Sequence, residues 1–180
     1  MSAARGRARA ARLAAAALAV CAISADADET ETQSALDALA ARVQVLEDRE
    51  TIRALILAYG EAHDHRDYRT LANLFATNGE WIGGLGSARG PDAIFELMDA
   101  TIGHAPRPEG SGTFHLMTNE QIEIDGDRAS ATTRWIYVTP GEDGAPRLVF
   151  IGHYDDVFVR ERGEWKFLRR SAPVDIPAIP

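Results

Sequence analysis

Three side chains in this sequence have the makings of a proton shuttle: Tyr59 and Asp64 five residues apart, and His115 about fifty residues further on in Thr113-Phe-His-Leu-Met-Thr-Asn119. An imidazole that meets a carboxylate can take a proton from carbon and return one to a leaving oxygen, and a phenol nearby can hold that oxygen in place. The carboxylate would fix the imidazole tautomer and stabilise its protonated form. A second imidazole, His153, lies in a late apolar segment and shares strand parity with Val149, Ile151, Val157 and Val159, which predicts that it faces an apolar side.

Each residue also has a plain structural use. Asp64 could cap a turn. Tyr59, His115 and His153 could be core residues with their polar atoms paired, and His104 reads as a solvated loop residue. The local sequence His63-Asp64-His65 adds a choice. At 100° per residue, His63 falls on the Ile52, Ile56, Tyr59 stripe and Asp64 lies one step round from it, so periodicity alone turns His63 inward.

The elements that must position these groups follow from hydrophobic spacing. Ser34 followed by Asp37 resembles a helix start, and Leu36, Leu39, Val43 and Leu46 then recur at three- and four-residue steps. That stripe packs either on the protein's own body or on a partner subunit. It continues through Ile52, Leu55, Ile56, Tyr59 and Ala62, predicting a long helix to about His65. A second helix would carry Leu71, Leu74 and Phe75 inward and close at Asn78-Gly79. Residues 80–82 read as a short strand and 83–90 as a loop, and Pro91 opens a third helix with Ile94, Phe95, Leu97 and Met98.

Beyond the Pro- and Gly-rich loop 103–112 the period changes to that of strands. Residues 113–124 and 128–139 meet across the hairpin signal Asp125-Gly126-Asp127, and 147–160 and 164–171 follow after short connections. Consecutive strands with short links predict an antiparallel meander. Helices first and strands last predict an α+β fold, with helices covering one face of a bent sheet. Trp81, Phe95, Met98, Met117, Trp135 and Phe150 are the expected wall of the pocket between them.

The ends bound the setting. Residues 1–27 carry Arg5, Arg7, Arg9 and Arg12, an eleven-residue apolar run 13–23, and small residues around Ala25 and Ala27. This is the pattern of a secretory signal peptide, and the run is far shorter than the ~20 residues that cross a bilayer. Periplasmic or secreted location without stable membrane insertion is the expectation. Cys21 is the one cysteine and lies in that run, so the mature chain would hold no disulfide or thiolate. Cleavage after Ala25 would leave 15 basic against 27 acidic residues, near −12. Such a surface repels phosphate backbones, so nucleic acid is a poor partner. The remainder suits a polar lead-in at 28–34, one domain at 35–172 and a tail at 173–180.

Several stretches resemble the SnoaL-like group of the nuclear transport factor 2 (NTF2-like) superfamily. They are Leu46-Glu-Asp-Arg-Glu-Thr-Ile52, Tyr59 with Asp64, Asp67-Tyr68 with Leu71 and Phe75, Arg89-Gly-Pro-Asp-Ala-Ile94, and Gly163-Glu-Trp-Lys-Phe167. The resemblance implies a cone of curved antiparallel sheet wrapped over N-terminal helices around a deep apolar pocket. It also implies kinship with cofactor-independent members of the scytalone dehydratase and bile-acid 7α-dehydratase type. In these, an aspartate late in the first long helix and a histidine in the first long strand form the acid/base pair, positions matched by Asp64 and His115. Tyr59 matches the tyrosine of the bile-acid enzyme, and His153 falls near a second histidine of scytalone dehydratase. The family register turns Asp64 inward, against the periodicity that favours His63.

These readings converge on a lyase (dehydratase) or isomerase with no cofactor and no metal, acting on a small apolar oxygenated molecule such as a polyketide, terpenoid or steroid. His115 would remove a proton next to a carbonyl, Asp64 would hold it, and Tyr59 with His153 would donate to the carbonyl or the departing hydroxyl. The alternative is a non-catalytic small-molecule-binding or dimerisation module, since fold alone does not give function. A homodimer or homotrimer is compatible with either. A third reading makes His115, His153 and Asp64 a two-histidine, one-carboxylate iron site.

Overall fold

Ile52, Ile56 and Tyr59 recur at helical spacing and are fully buried, which explains why the first helix stays attached to a core. Each such aliphatic side chain contributes about 1.5–3 kcal/mol when removed from water. The computed structural model describes residues 2–103 and 112–176, with burial described from residue 29 onward. The chain forms two compact units, Met1–Leu46 and Glu47–Pro180. Helix α1, Ser2–Asp64, contributes to both and runs unbroken through residues 28–34, where a polar lead-in was expected. Among the described residues no helix is long and apolar enough to cross a membrane.

In the second unit α1 ends where Arg66 adopts a left-handed conformation, φ 59°. The Asp67 N–H then reaches back to the Ala62 carbonyl at 2.8 Å, a helix-closing bond normally associated with glycine. Asp67 caps α2, Tyr68–Asn73, by accepting from the Thr70 N–H at 3.0 Å. The cap that Asp64 could have supplied is therefore made by Asp67, which leaves Asp64 available for other bonds.

Helix α2 is shorter than expected. Phe75 already belongs to strand β1, Phe75–Gly83, and Asn78-Gly79 lies inside that strand at a register shift. The Phe167 N–H donates to the Leu74 carbonyl at 3.0 Å, so the sheet claims the chain directly after α2. The expected loop after residue 83 contains β2, Gly86–Arg89, paired with β1 as a hairpin. Pro91 opens α3, Pro91–Ile102, as its sequence predicts, with Ile94 and Met98 buried.

The long strands fall close to their expected ranges: β3, Phe114–Asp125; β4, Arg128–Pro140; β5, Pro146–Glu161; β6, Glu164–Ala172. The order across the sheet is β2-β1-β6-β5-β4-β3, antiparallel throughout except for the parallel β1–β6 pair. A further strand, β7, Val174–Ile176, pairs with β5 within the segment expected to be a tail. The fold is α+β with a curved, predominantly antiparallel sheet, as the order of periodicities predicts.

Two irregularities aim the inner face. A register shift between Thr118 and Gln121 surrounds Asn119, whose φ of 56° is left-handed. This bulge lets His115 and Met117 share a face with Ile122 and Ile124, which strict alternation would forbid. At Gly152 a side chain would collide with the Trp135 ring and the Pro173 carbonyl, so glycine there is what seats the tryptophan.

Candidate active site

Asp64 is the last residue of α1 and His115 the second of β3, and the two meet. Asp64 Oδ2 accepts from the His115 backbone N–H at 2.8 Å, and Oδ1 lies 2.6 Å from His115 Nδ1. An ionised carboxylate only accepts, so Nδ1 carries the hydrogen and neutral His115 keeps its lone pair on Nε2. The backbone bond fixes the carboxylate, and the carboxylate fixes the ring. Both side chains are largely buried, at 8% exposure for His115 and 16% for Asp64.

The choice between His63 and Asp64 dissolves in the structure, because both reach His115. The His63 ring lies 4.5 Å from the His115 ring in an edge-on arrangement. Tyr137, the direct cross-strand partner of His115, lies 4.7 Å away on the other side. Trp135 is 6.2 Å from His115 and stacks on Tyr154 at 5.7 Å. His115 thus sits in an aromatic box built by the end of α1 and adjacent rows of β3 and β4.

Tyr59 occupies the centre of the core beside this box. Its hydroxyl accepts from the Trp81 indole N–H at 2.8 Å, and its ring meets Tyr154 edge-on at 5.7 Å. Burial pushes its pKa up to about 12, against the opposing pull of Arg170, so the phenol stays protonated at neutral pH. Tyr154 is likewise pushed well above its ordinary value, first by burial and then by Tyr59, with Asp64 and Asp156 adding smaller contributions.

Neither Tyr154 nor the adjacent charge pair was singled out from sequence. Arg170 donates from Nε and Nη2 to the two oxygens of Asp156 at 2.8 and 2.7 Å, with both side chains wholly buried. The guanidinium lies 4.1 Å from the Tyr59 ring centre and 4.0 Å from that of Tyr154. Burial raises Asp156 above the usual carboxylate range and Arg170 pulls it back. Arg170 Nη1, Trp135 Nε1 and Thr133 Oγ1 are buried with no hydrogen-bond partner. The signal for this row was the alternation of β5 itself: its core side is Tyr154, Asp156 and Phe158, and a buried aspartate disguised it.

His153 is a correction. Its parity places it on the opposite side of β5 from Tyr154, and its cross-strand partner is Arg134. Nδ1 lies 2.8 Å from Asp175 Oδ1 on β7, and Nε2 lies 3.4 Å from Asp155. The face expected to be apolar at this point is a charged belt, and His153 does not join Asp64 and His115. The iron set built on His153 is therefore not assembled. Among the described residues, the metal-competent donors that lie close are His63, Asp64 and His115, with ligand atoms within 4.8 Å of one another.

The six expected wall residues belong to one core cluster: Trp81, Met98 and Trp135 are buried in it, and Phe95, Met117 and Phe150 pack against it. Met117 follows His115 on the inner face, with its thioether end against Gly60 of α1. Phe150 stacks on Tyr137 at 6.3 Å. Phe95 carries the Arg69 guanidinium on its ring at 3.9 Å. His104 lies outside the described residues.

N-terminal helices packed on a curved, predominantly antiparallel sheet of this strand order place the chain in the NTF2-like, cystatin-like fold class. The SnoaL-like domain family matches residues 44–171, and the chain belongs to that family. A crystal structure of an NTF2-like protein with a cystatin-like fold from Novosphingobium aromaticivorans is 30% identical and superposes with a TM-score of 0.68, over 76% of this chain and 88% of that one. An uncharacterised protein of Mycobacterium tuberculosis is 29% identical over 144 residues, 76% of this chain and 92% of that protein. The structure of LinA is similar in fold, with a TM-score of 0.63 at 22% identity, covering 76% of this chain and 92% of that chain.

Proposed function

We propose that the protein is a cofactor-independent lyase or isomerase that moves a proton on a small, mostly apolar, oxygenated molecule. The observation that carries this is the 2.6 Å Asp64–His115 contact inside an aromatic box. Nε2 of His115 removes a proton from the carbon next to a carbonyl, and Asp64 stabilises the imidazolium that forms. A protonated phenol, Tyr59 or Tyr154, gives a hydrogen bond to the carbonyl oxygen as negative charge builds there. In a dehydration the C–H electrons become the new double bond, the C–O bond breaks, and His115 returns its proton to the departing hydroxide as water. In an isomerisation the proton returns to a different carbon.

The test is turnover of a panel of β-hydroxy ketones, comparing wild type with His115→Gln and Asp64→Asn. The expected loss is about 10²–10⁴-fold for His115→Gln, with binding nearly unchanged. Turnover that survives His115→Gln sinks the proposal. One observation favours the binding-module reading instead: Tyr59 is wholly buried within the core, away from solvent. Under that reading the panel binds to wild type and both variants, and none is converted. The Arg-rich, apolar leader at 1–27 supports export to the periplasm or medium, checked by the N-terminal residue of the exported protein.

A further inference from the structure

Leu36, Leu39, Val43 and Leu46 of α1 are between 44 and 64% exposed. Their steps of three, four and three residues are those of a heptad seam, with Leu36 and Val43 at a and Leu39 and Leu46 at d. A helix that lies on a globular body usually widens its stripe with large apolar residues at e or g. Here e holds Ala40 and Glu47, and g holds Ala35 and Arg42. The narrow seam flanked by small residues fits another helix approaching closely along its length.

The flanking charges select the partner and its direction. In a parallel, in-register pair, residue g of one helix faces e of the next heptad on the other. Arg42 then meets Glu47 of the second copy in two symmetric pairs, and Ala35 meets Ala40. In an antiparallel pair with matched a and d layers, the two Arg42 side chains face each other. Val at one a position with Leu at both d positions also favours two strands. A lipid surface is the poorer occupant: residues 29–50 hold six acidic side chains against two basic ones, the wrong sign for an anionic leaflet.

We propose that residues 36–46 form a parallel two-stranded coiled coil with the same helix of a second copy of this chain. Residues 36–46 alone are eleven, short of the ~12–15 that an isolated helix needs to persist. The seam belongs to a helix that continues to Asp64, so it is presented already helical. The association is accordingly reversible and concentration-dependent.

Sedimentation equilibrium over a concentration series tests this with three proteins: wild type, Leu39→Asp/Val43→Asp, and Leu116→Asp. Leu116 lies on β3 and is exposed. The expected result is a rise to twice the chain mass for wild type and Leu116→Asp. The double variant should stay monomeric at every concentration, with unchanged circular dichroism and thermal unfolding. In a Cys21→Ser background, oxidation should link Val43→Cys into a dimer but not Ala38→Cys, which lies off the seam. A monomeric wild type overturns the proposal, as does a double variant that still dimerises. Dissociation by Leu116→Asp alone would assign the contact to the sheet and overturn it equally. Cross-linking through Ala38→Cys but not Val43→Cys would overturn the parallel register.

Discussion

His115 on the inner face of β3 and His153 on the outer face of β5 each bring Nδ1 to an aspartate, at 2.6 and 2.8 Å. The bond is the same and the surroundings are opposite. Asp64 gives both oxygens to His115, and the ring is walled by His63 and Tyr137. Asp175 is shared with Arg134 at 3.4 Å, and the far nitrogen of His153 faces Asp155 and solvent. The first pair is largely buried among rings, whereas the second is part of a more exposed charged cluster. Facing water and a second carboxylate, the second pair is a surface tie, here between β5 and β7.

A third aspartate extends the comparison to complete burial. Asp156 lies on β5 three residues beyond His153 and on the other face, paired with Arg170 where neither side chain touches solvent. Removing one partner leaves an uncompensated charge in the core, which typically costs about 3–5 kcal/mol. Asp156→Ala is expected to lose that much in urea unfolding, a large part of the stability of an ordinary domain. The double variant Asp156→Leu/Arg170→Met should recover much of the loss, because it buries no charge. A loss under about 1 kcal/mol for Asp156→Ala would mean that water reaches the pair.

Asp64 is the intermediate case. Its two oxygens accept from two donors of one residue, the backbone N–H and the ring N–H of His115. Asparagine offers one acceptor and one donor, so in Asp64→Asn either one of those N–H groups faces another N–H or His115 gives up the tautomer that carries its proton on Nδ1. The expected cost is about 1–3 kcal/mol of stability. Wild type should show a far-downfield, slowly exchanging proton resonance from His115 Nδ1, absent in Asp64→Asn. Persistence of that resonance would mean that the carboxylate does not set the tautomer.

Most of the fold was legible because hydrophobic period reports burial: the four long strands, α3 and the inner face of α1 came from spacing alone. The misreadings have specific causes. Phe75 looked helical because Leu71 and Leu74 precede it at the right steps, yet pairing with β6 outweighed a local preference that is weak over six residues. His153 was misplaced because parity identifies two faces without saying which is the core, and β5 carries Asp156 on the side that is buried. Asp64 and His115 were legible through family resemblance, whereas helical phase alone favoured His63. Tyr154 was missed because Asp156 disguised the core side of β5, and Arg170 because a partner 14 residues away leaves no local signature.

The smallest effect belongs to Asp175. Its carboxylate is a third exposed, and His153 and Arg134 beside it are also in contact with water. Solvent screens such a pair and replaces its hydrogen bonds when it breaks, so Asp175→Asn should cost about 0–1 kcal/mol, less in high salt. The loss should be local: β7 holds β5 through only two residue pairs, so its backbone amides should exchange faster while those of β3 and β4 are unchanged. Equal costs for Asp175→Asn and Asp64→Asn would break the comparison, since burial would then not be what separates the two histidines. A cost for Asp175→Asn that vanishes with salt, beside one for Asp64→Asn that does not, would locate the difference in desolvation.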